Sequence, residues 1–168
     1  MKPDLSVKLG PLELANPVMT ASGTFGYGSE YEEFFDPSIL GAVVVKGVAP
    51  NPVHGNPTPR VAEVASGMIN AIGLQGPGIE KFLHDEHYLP WLRKHNCKTV
   101  VNIWGKSVDD YRYVAERLDA DSDGIAALEI NVSCPNVKEG GISFSSDTAA
   151  MGKVVAAVRS ATKLPLIT

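Results

Sequence analysis

The sequence predicts an α/β fold built on a parallel sheet covered by helices, and three observations carry that reading. Short β-branched runs alternate along the chain with segments of helical periodicity, the order expected of strand–helix–strand units. The runs "AVVVKG" (42–47), "KTVVNIWG" (98–105) and "AALEINVSC" (126–134) are too continuously apolar for half-exposed strands and read as strands buried on both faces. Polar side chains then gather at the C-terminal end of each run. Crossovers of the usual right hand close such a sheet into a barrel or leave it open.

Taken in order, "LSVKLGPLELANP" (5–17) reads as a small hairpin turning at Gly10–Pro11. "VMTAS" (18–22) is a first short strand, and "SEYEEFF" (29–35) a helix starting at Ser29. After the strand at 42–47, residues 48–77 form a long excursion. It opens with Pro50, Pro52, Pro57 and Pro59 and then gives "RVAEV" and "GMINAIGLQGPG", the pattern of an inserted hairpin. Residues 78–95 are mostly helical with a break near Pro90. "SVDDYRYVAERLDA" (107–120) puts Ser107 in a capping position, acids in the first turn, and Val108, Tyr111, Val114, Ala115 and Leu118 on one face. "SSDTAAMGKVVAAVRSAT" (145–162) is the next helix, and "LPLIT" the start of a fifth strand.

Composition narrows the function classes. The 168 residues carry a net charge of −4 with no block of Lys or Arg, so nothing marks a nucleic-acid or anionic membrane surface. No apolar stretch approaches the ~20 residues of a membrane span, and the first ten residues lack the apolar core of a signal peptide. Cys97 and Cys134 stand far apart, which argues against a disulfide framework or a cysteine metal site and fits a reducing cytoplasm.

The strand ends are the informative feature. Thr20, Ser22 and Gly23 end the first strand, Lys46 and Gly47 the second; Asn102 lies in the third, and Asn131, Ser133 and Cys134 end the fourth. In parallel α/β folds that rim is where ligands bind. Each residue has a plainer alternative: Lys46 as a surface lysine, Asn70, Asn102 and Asn131 as loop-satisfying amides, Cys134 as an inert buried thiol. Cys97 reads as structural. "SGTFGYG" (22–28) lacks the lysine of a P-loop and the spacing of a dinucleotide fingerprint, so its glycines suit close approach to a flat ligand or a neighbouring strand. His84 and His87 lack further ligands and read as helix surface. Amides, a lysine, hydroxyls and a thiol suit a ring dense in donors and acceptors, such as a pyrimidine or flavin. A thiol with an ordinary pKa of about 8.5 can also serve in acid–base work.

The series "NPVMTASGTFGYG", "GAVVVKG", "GNPTPR", "GMINAIGLQGPG", "VVNIWG" and "EINVSCPNVKEGG" resembles the class 1 dihydroorotate dehydrogenases, in order and over almost the whole chain. "NAIGLQ" and "NVSCPNVKEGG" favour the class 1B catalytic subunit over the fumarate-using class 1A enzymes. The resemblance implies a (β/α)8 TIM barrel with FMN at the C-terminal rim, oxidising dihydroorotate to orotate in pyrimidine biosynthesis. By the same motifs, Ser22, Gly23, Lys46, Gly47, Asn102 and Asn131 contact FMN. Lys46, Asn70, Ala71, Ile72, Gly73, Leu74, Asn131 and Asn136 contact substrate. Cys134 is the base that takes the C5 proton while hydride leaves C6, and the "VKEGG" loop is a candidate lid. Implied partners are an iron–sulfur, FAD-containing electron-transfer subunit and a second copy of the catalytic subunit; no metal site is implied on this chain.

Two departures qualify the resemblance. Gly76 stands where the family pattern has Asn. The sequence also ends at "PLIT", inside the expected fifth strand, whereas such a barrel takes about 250 residues. Family members continue into a lysine that binds FMN, an Asn-containing substrate segment and Gly-rich loops for the flavin phosphate. The expectation is therefore the N-terminal portion, 1–168, of one FMN-binding barrel domain, inactive as an isolated chain. The alternatives are a half-barrel binding module without catalysis, or a related flavin-dependent dihydropyrimidine reductase.

Overall fold

The computed structural model describes residues 3–133, 138–139 and 142–168. Strands β1 (Val7–Leu9) and β2 (Leu12–Leu14) form the expected antiparallel hairpin, with Leu9 opposite Leu12. The main sheet has four parallel strands, in the order β3 (Val43–Val48), β6 (Thr99–Ile103), β7 (Ile125–Ile130) and β10 (Leu166–Ile167). Between β3 and β6 come the inserted hairpin, β4 (Val61–Val64) with β5 (Gly67–Asn70), and helices α1 (Ile79–His84) and α2 (Leu89–Lys94). Helix α3 (Val108–Ala120) joins β6 to β7. A short pairing of β8 (Lys138–Glu139) with β9 (Ile142–Ser143) precedes helix α4 (Thr148–Ala161), which leads to β10.

Alternation along each parallel strand assigns its residues to two buried faces. Val43 and Val45, Val101 and Ile103, and Leu128 and Ile130 pack into the helical layer, against Phe82, Leu92, Tyr111, Leu118 and Val154 among others. Val44, Val100 and Ala127 face the other way and are covered by Leu12 and Leu14 of the hairpin. Each large side chain so buried stabilises the fold by about 1.5–3 kcal/mol. Because both faces are buried, the strands read as near-continuous apolar runs. The helical layer is further tied by a two-bond Arg117–Glu80 contact (2.7 and 2.8 Å) between α3 and α1. Arg93 reaches from α2 to the carbonyls of Asp121 and Asp123 and to the Asp121 carboxylate at 2.7 Å, so the acids after α3 form a helix end and turn.

The helix boundaries follow their caps. Ser107 accepts from the Asp110 N–H while Asp110 accepts from the Ser107 N–H, a full capping box. Asp147 accepts from the Ala149 and Ala150 N–H groups at the start of α4. The break near Pro90 falls at 85–88, with the proline in the first turn of α2, where its missing N–H costs nothing.

Two expectations are corrected. Residues 18–22 form no strand beyond a single parallel bridge, Met19 to Ala42. The physical reason is that side chains take the place of the ladder. Thr20 Oγ1 accepts from the Val44 N–H (2.7 Å) and donates to the Val44 carbonyl (3.1 Å), while Asn16 accepts from both the Val18 and Gly41 N–H groups. Likewise the helix at 29–35 shrinks to a 3₁₀ turn, Ser29–Tyr31, pinned by the Ser29 hydroxyl donating to the His87 carbonyl. Ser107→Ala removes one half of the capping box and is expected to lower stability by about 1 kcal/mol, read as a lower denaturation midpoint at unchanged slope.

Candidate functional site

On the face opposite the helices, the side chains change character toward the C-terminal end of the sheet. Below lie Val44, Val100 and Ala127; above them on the same face come Lys46, Asn102, Glu129 and Asn131. Lys46, Asn102 and Asn131 line a cleft of about 70 Å³ together with Ser22, Gly23, Gly47, Leu74, Gln75 and Trp104, and an adjoining cleft of about 240 Å³ shares Ser22, Asn102 and Asn131 and adds Glu129. Thus Ser22, Gly23, Lys46, Gly47, Leu74, Asn102 and Asn131, all expected from the sequence, meet in one place. A third cleft, about 500 Å³, lies on the other side of Lys46 and is walled by Tyr27, His54, Gly76 and Lys81.

Backbone and core contacts fix these groups. Asn102 is 2% exposed and donates from Nδ2 to Glu129 Oε1 at 2.5 Å. Its Oδ1 is buried without a hydrogen-bond partner among the described residues. Asn131 is anchored through its main chain, the N–H donating to the Ile103 carbonyl (2.9 Å) and the carbonyl accepting from the buried Tyr111 hydroxyl (2.6 Å). Gly47 is small by necessity: a Cβ there would lie 2.7 Å from Trp104 Cδ1 and 3.0 Å from Asn102 Oδ1. Among the described residues the Lys46 side chain has no ion-pair partner. The Lys46 N–H donates to the Gly26 carbonyl at 2.8 Å, so the glycine-rich loop 22–28 lies against β3 as its composition suggested.

Asn70, Ala71, Ile72 and Gly73 do not line the cleft. Asn70 is exposed at the end of β5 opposite Val61, and the carbonyls of Ala71 and Ile72 accept from Asn56. Leu74 does reach the cleft, held at φ +56°, a conformation uncommon for a branched side chain and a mark of a constrained loop. Mutual N–H to carbonyl bonds of 3.0 Å between Val53 and Gly76 close the base of this excursion. Cys134 and Asn136, and Gly140 and Gly141 of the candidate lid, lie outside the described residues. Gln75, Trp104 and Glu129 were not expected. Glu129 was findable, since it lies two residues before Asn131 and so on the same face of a period-two strand.

The remaining candidates are placed away from the rim. A cleft of about 690 Å³ opens at the N-terminal end of the sheet, beside Leu12, Cys97, Lys98 and Pro165. Cys97 is 4% exposed, and burial, with the nearby Asp36 charge, pushes its thiol up to about 11. His84 and His87 are exposed and face separate carboxylates, Glu80 and Asp85. Among the described residues no group of three His, Cys, Asp or Glu could hold a metal ion, and no helix is long and apolar enough to cross a membrane.

A helix-backed parallel sheet whose inner face turns from apolar to polar at the C-terminal rim is the arrangement of part of a (β/α)8 barrel, a class that binds its ligands at that rim. Residues 4–168 match the model of the family described as dihydroorotate dehydrogenase, and the chain belongs to that family. It is 53% identical over 167 residues to the "Dihydroorotate dehydrogenase B (NAD(+)), catalytic subunit" of Pelobacter propionicus and 50% identical to that of Desulforamulus reducens, covering 99% of this chain and 54% of each relative. The chain therefore spans about half the length of the curated relatives it matches. Among solved structures, DHODH from Eimeria tenella in complex with ferulenol superposes with a TM-score of 0.72 at 27% identity, covering 95% of this chain and 44% of that one.

Two outcomes follow from this geometry. Gly47→Ala is expected to cost about 1–3 kcal/mol through overpacking and to shift the Trp104 fluorescence, measured by denaturation followed at the tryptophan. Cys97 is expected to resist alkylation at neutral pH in the folded protein and to react once denaturant is added, as peptide mapping by mass spectrometry would read.

Proposed function

We propose that the rim is the flavin and substrate site of a dihydroorotate dehydrogenase catalytic subunit, with FMN as the flavin. The observation that carries this reading is the gathering of Ser22, Lys46, Asn102 and Asn131 around one cleft at the C-terminal end of a parallel sheet, in a chain of this family. The donor set suits a flavin ring. Ser22, Lys46 and the amides offer donors and acceptors, and the Asn102 Oδ1, without a partner among the described residues, calls for a ligand N–H. When bound, the flavin supplies the hydride acceptor for the C6 hydrogen of dihydroorotate.

The chain's own residues then have separable tasks. Lys46 offsets the substrate carboxylate, and its place between two clefts lets it serve ring and substrate together. Asn131 and Asn136 hold the substrate's polar edge, and Leu74, the residue of the 70–74 loop that lines the cleft, closes it from the side. Cys134 takes the proton from C5. Holding base, ring and substrate in one orientation supplies much of the rate. The class 1B reading adds an iron–sulfur, FAD-containing electron-transfer partner, self-association of the catalytic subunit and a cytoplasmic setting. The relatives' shared name, the catalytic subunit of a dihydroorotate dehydrogenase B (NAD(+)), supports a separate partner subunit.

In the holoenzyme, Cys134→Ser is expected to slow anaerobic flavin reduction by dihydroorotate at least about 100-fold near neutral pH while leaving orotate affinity nearly unchanged. Unaltered reduction would remove Cys134 from the base role. Bleaching by dihydropyrimidines lacking a carboxylate, in preference to dihydroorotate, would instead identify a dihydropyrimidine reductase.

A further inference from the structure

Glu129 is a carboxylate on the rim with no task in the reading above. In the β6–β7 register it stands directly across from Asn102, and it accepts from the Asn102 Nδ2 at 2.5 Å. The opposite end of that amide, Oδ1, is buried without a partner among the described residues and lies 3.0 Å from where a Gly47 Cβ would stand. Gly47 and Asn102 both line the cleft. The two ends of an asparagine amide are nearly identical in shape and opposite in hydrogen-bonding sense, so packing alone does not choose between them. A carboxylate only accepts, so it draws the NH₂ end to itself and turns the carbonyl away.

We propose that Glu129 is a positioning residue: it sets the sense of the Asn102 amide, so that the rim presents an acceptor at that point and selects a ligand bearing an N–H. The identity of that ligand rests on the flavin reading above. The ring of oxidised flavin carries a single N–H, at N3, and so offers one matching donor.

Two variants separate this role from simple packing. Glu129→Gln keeps the shape but can donate or accept, which releases the choice of amide sense. Glu129→Leu removes the polar partner. The first measurement is the ¹⁵N-resolved Asn102 side-chain NH₂ pair in the full-length protein, assigned by its loss in Asn102→Asp. One slowly exchanging pair is expected in the parent, and a shifted, faster-exchanging or doubled pair in Glu129→Gln. The second is the affinity for FMN against N3-methyl FMN by fluorescence titration. The parent is expected to prefer the N–H form by about tenfold, Glu129→Gln by about threefold or less, and Glu129→Leu hardly at all. An unchanged amide pair, or a preference retained in both variants, overturns the proposal. A parent that takes up no flavin overturns the flavin reading, while the amide spectra still decide the role of Glu129.

Discussion

The rim is rigid because every second residue of its strands is locked in a helical layer. Lys46 lies next to Val45, Asn102 between Val101 and Ile103, and Glu129 between Leu128 and Ile130. Those neighbours are buried against α1 to α4, so no polar group of the rim can shift along its strand without dragging apolar side chains out of the core. At about 1.5–3 kcal/mol for each large side chain, that cost far exceeds the worth of any single hydrogen bond at the rim. Pre-organisation of the site is thus a by-product of burial on the far face.

The same alternation explains why the sheet was legible in sequence. "AVVVKG" and "KTVVNIWG" carry two apolar faces at once, and each became a parallel strand within a residue or two of the expected bounds, while "AALEINVSC" became a strand that ends at Ile130, with Asn131 to Ser133 already outside it. Ser107 and the acids after it announced α3, and the proline-rich opening of 48–77 announced the inserted hairpin. The segment 18–22 misled because, beyond the main-chain bonds of one bridge, its pairing is made by a threonine hydroxyl and an asparagine amide. Such groups satisfy main-chain N–H and carbonyl groups at distances that composition does not encode.

The site was legible in a different measure. Polar residues closing apolar runs pointed to Lys46, Asn102 and Asn131, and the structure draws them around one cleft. Glu129 escaped notice because a charge inside "AALEI" looks like a lapse in a buried strand, yet its face parity with Asn131 marks it as part of the rim. The motif at 70–73 shows the reverse. Its residues carry the family's pattern, but their placement depends on how Asn56, Arg60 and Val53 bind the excursion's main chain, which no local spacing reveals.

The hydroxyl fastening at Thr20 has a consequence for how the rim exchanges what it holds. One wall, carrying Lys46, Asn102 and Asn131, belongs to a strand ladder and opens only with the sheet. The facing wall, carrying Ser22 and Gly23, is held to β3 and the residues just before it by one bridge, one threonine, an asparagine and the bond from the Lys46 N–H to the Gly26 carbonyl. Sub-global opening follows the weakest set of main-chain bonds, so this wall parts at a lower free energy than the other. The rim is therefore bounded by one wall built into the sheet and one fastened to it by a few local bonds.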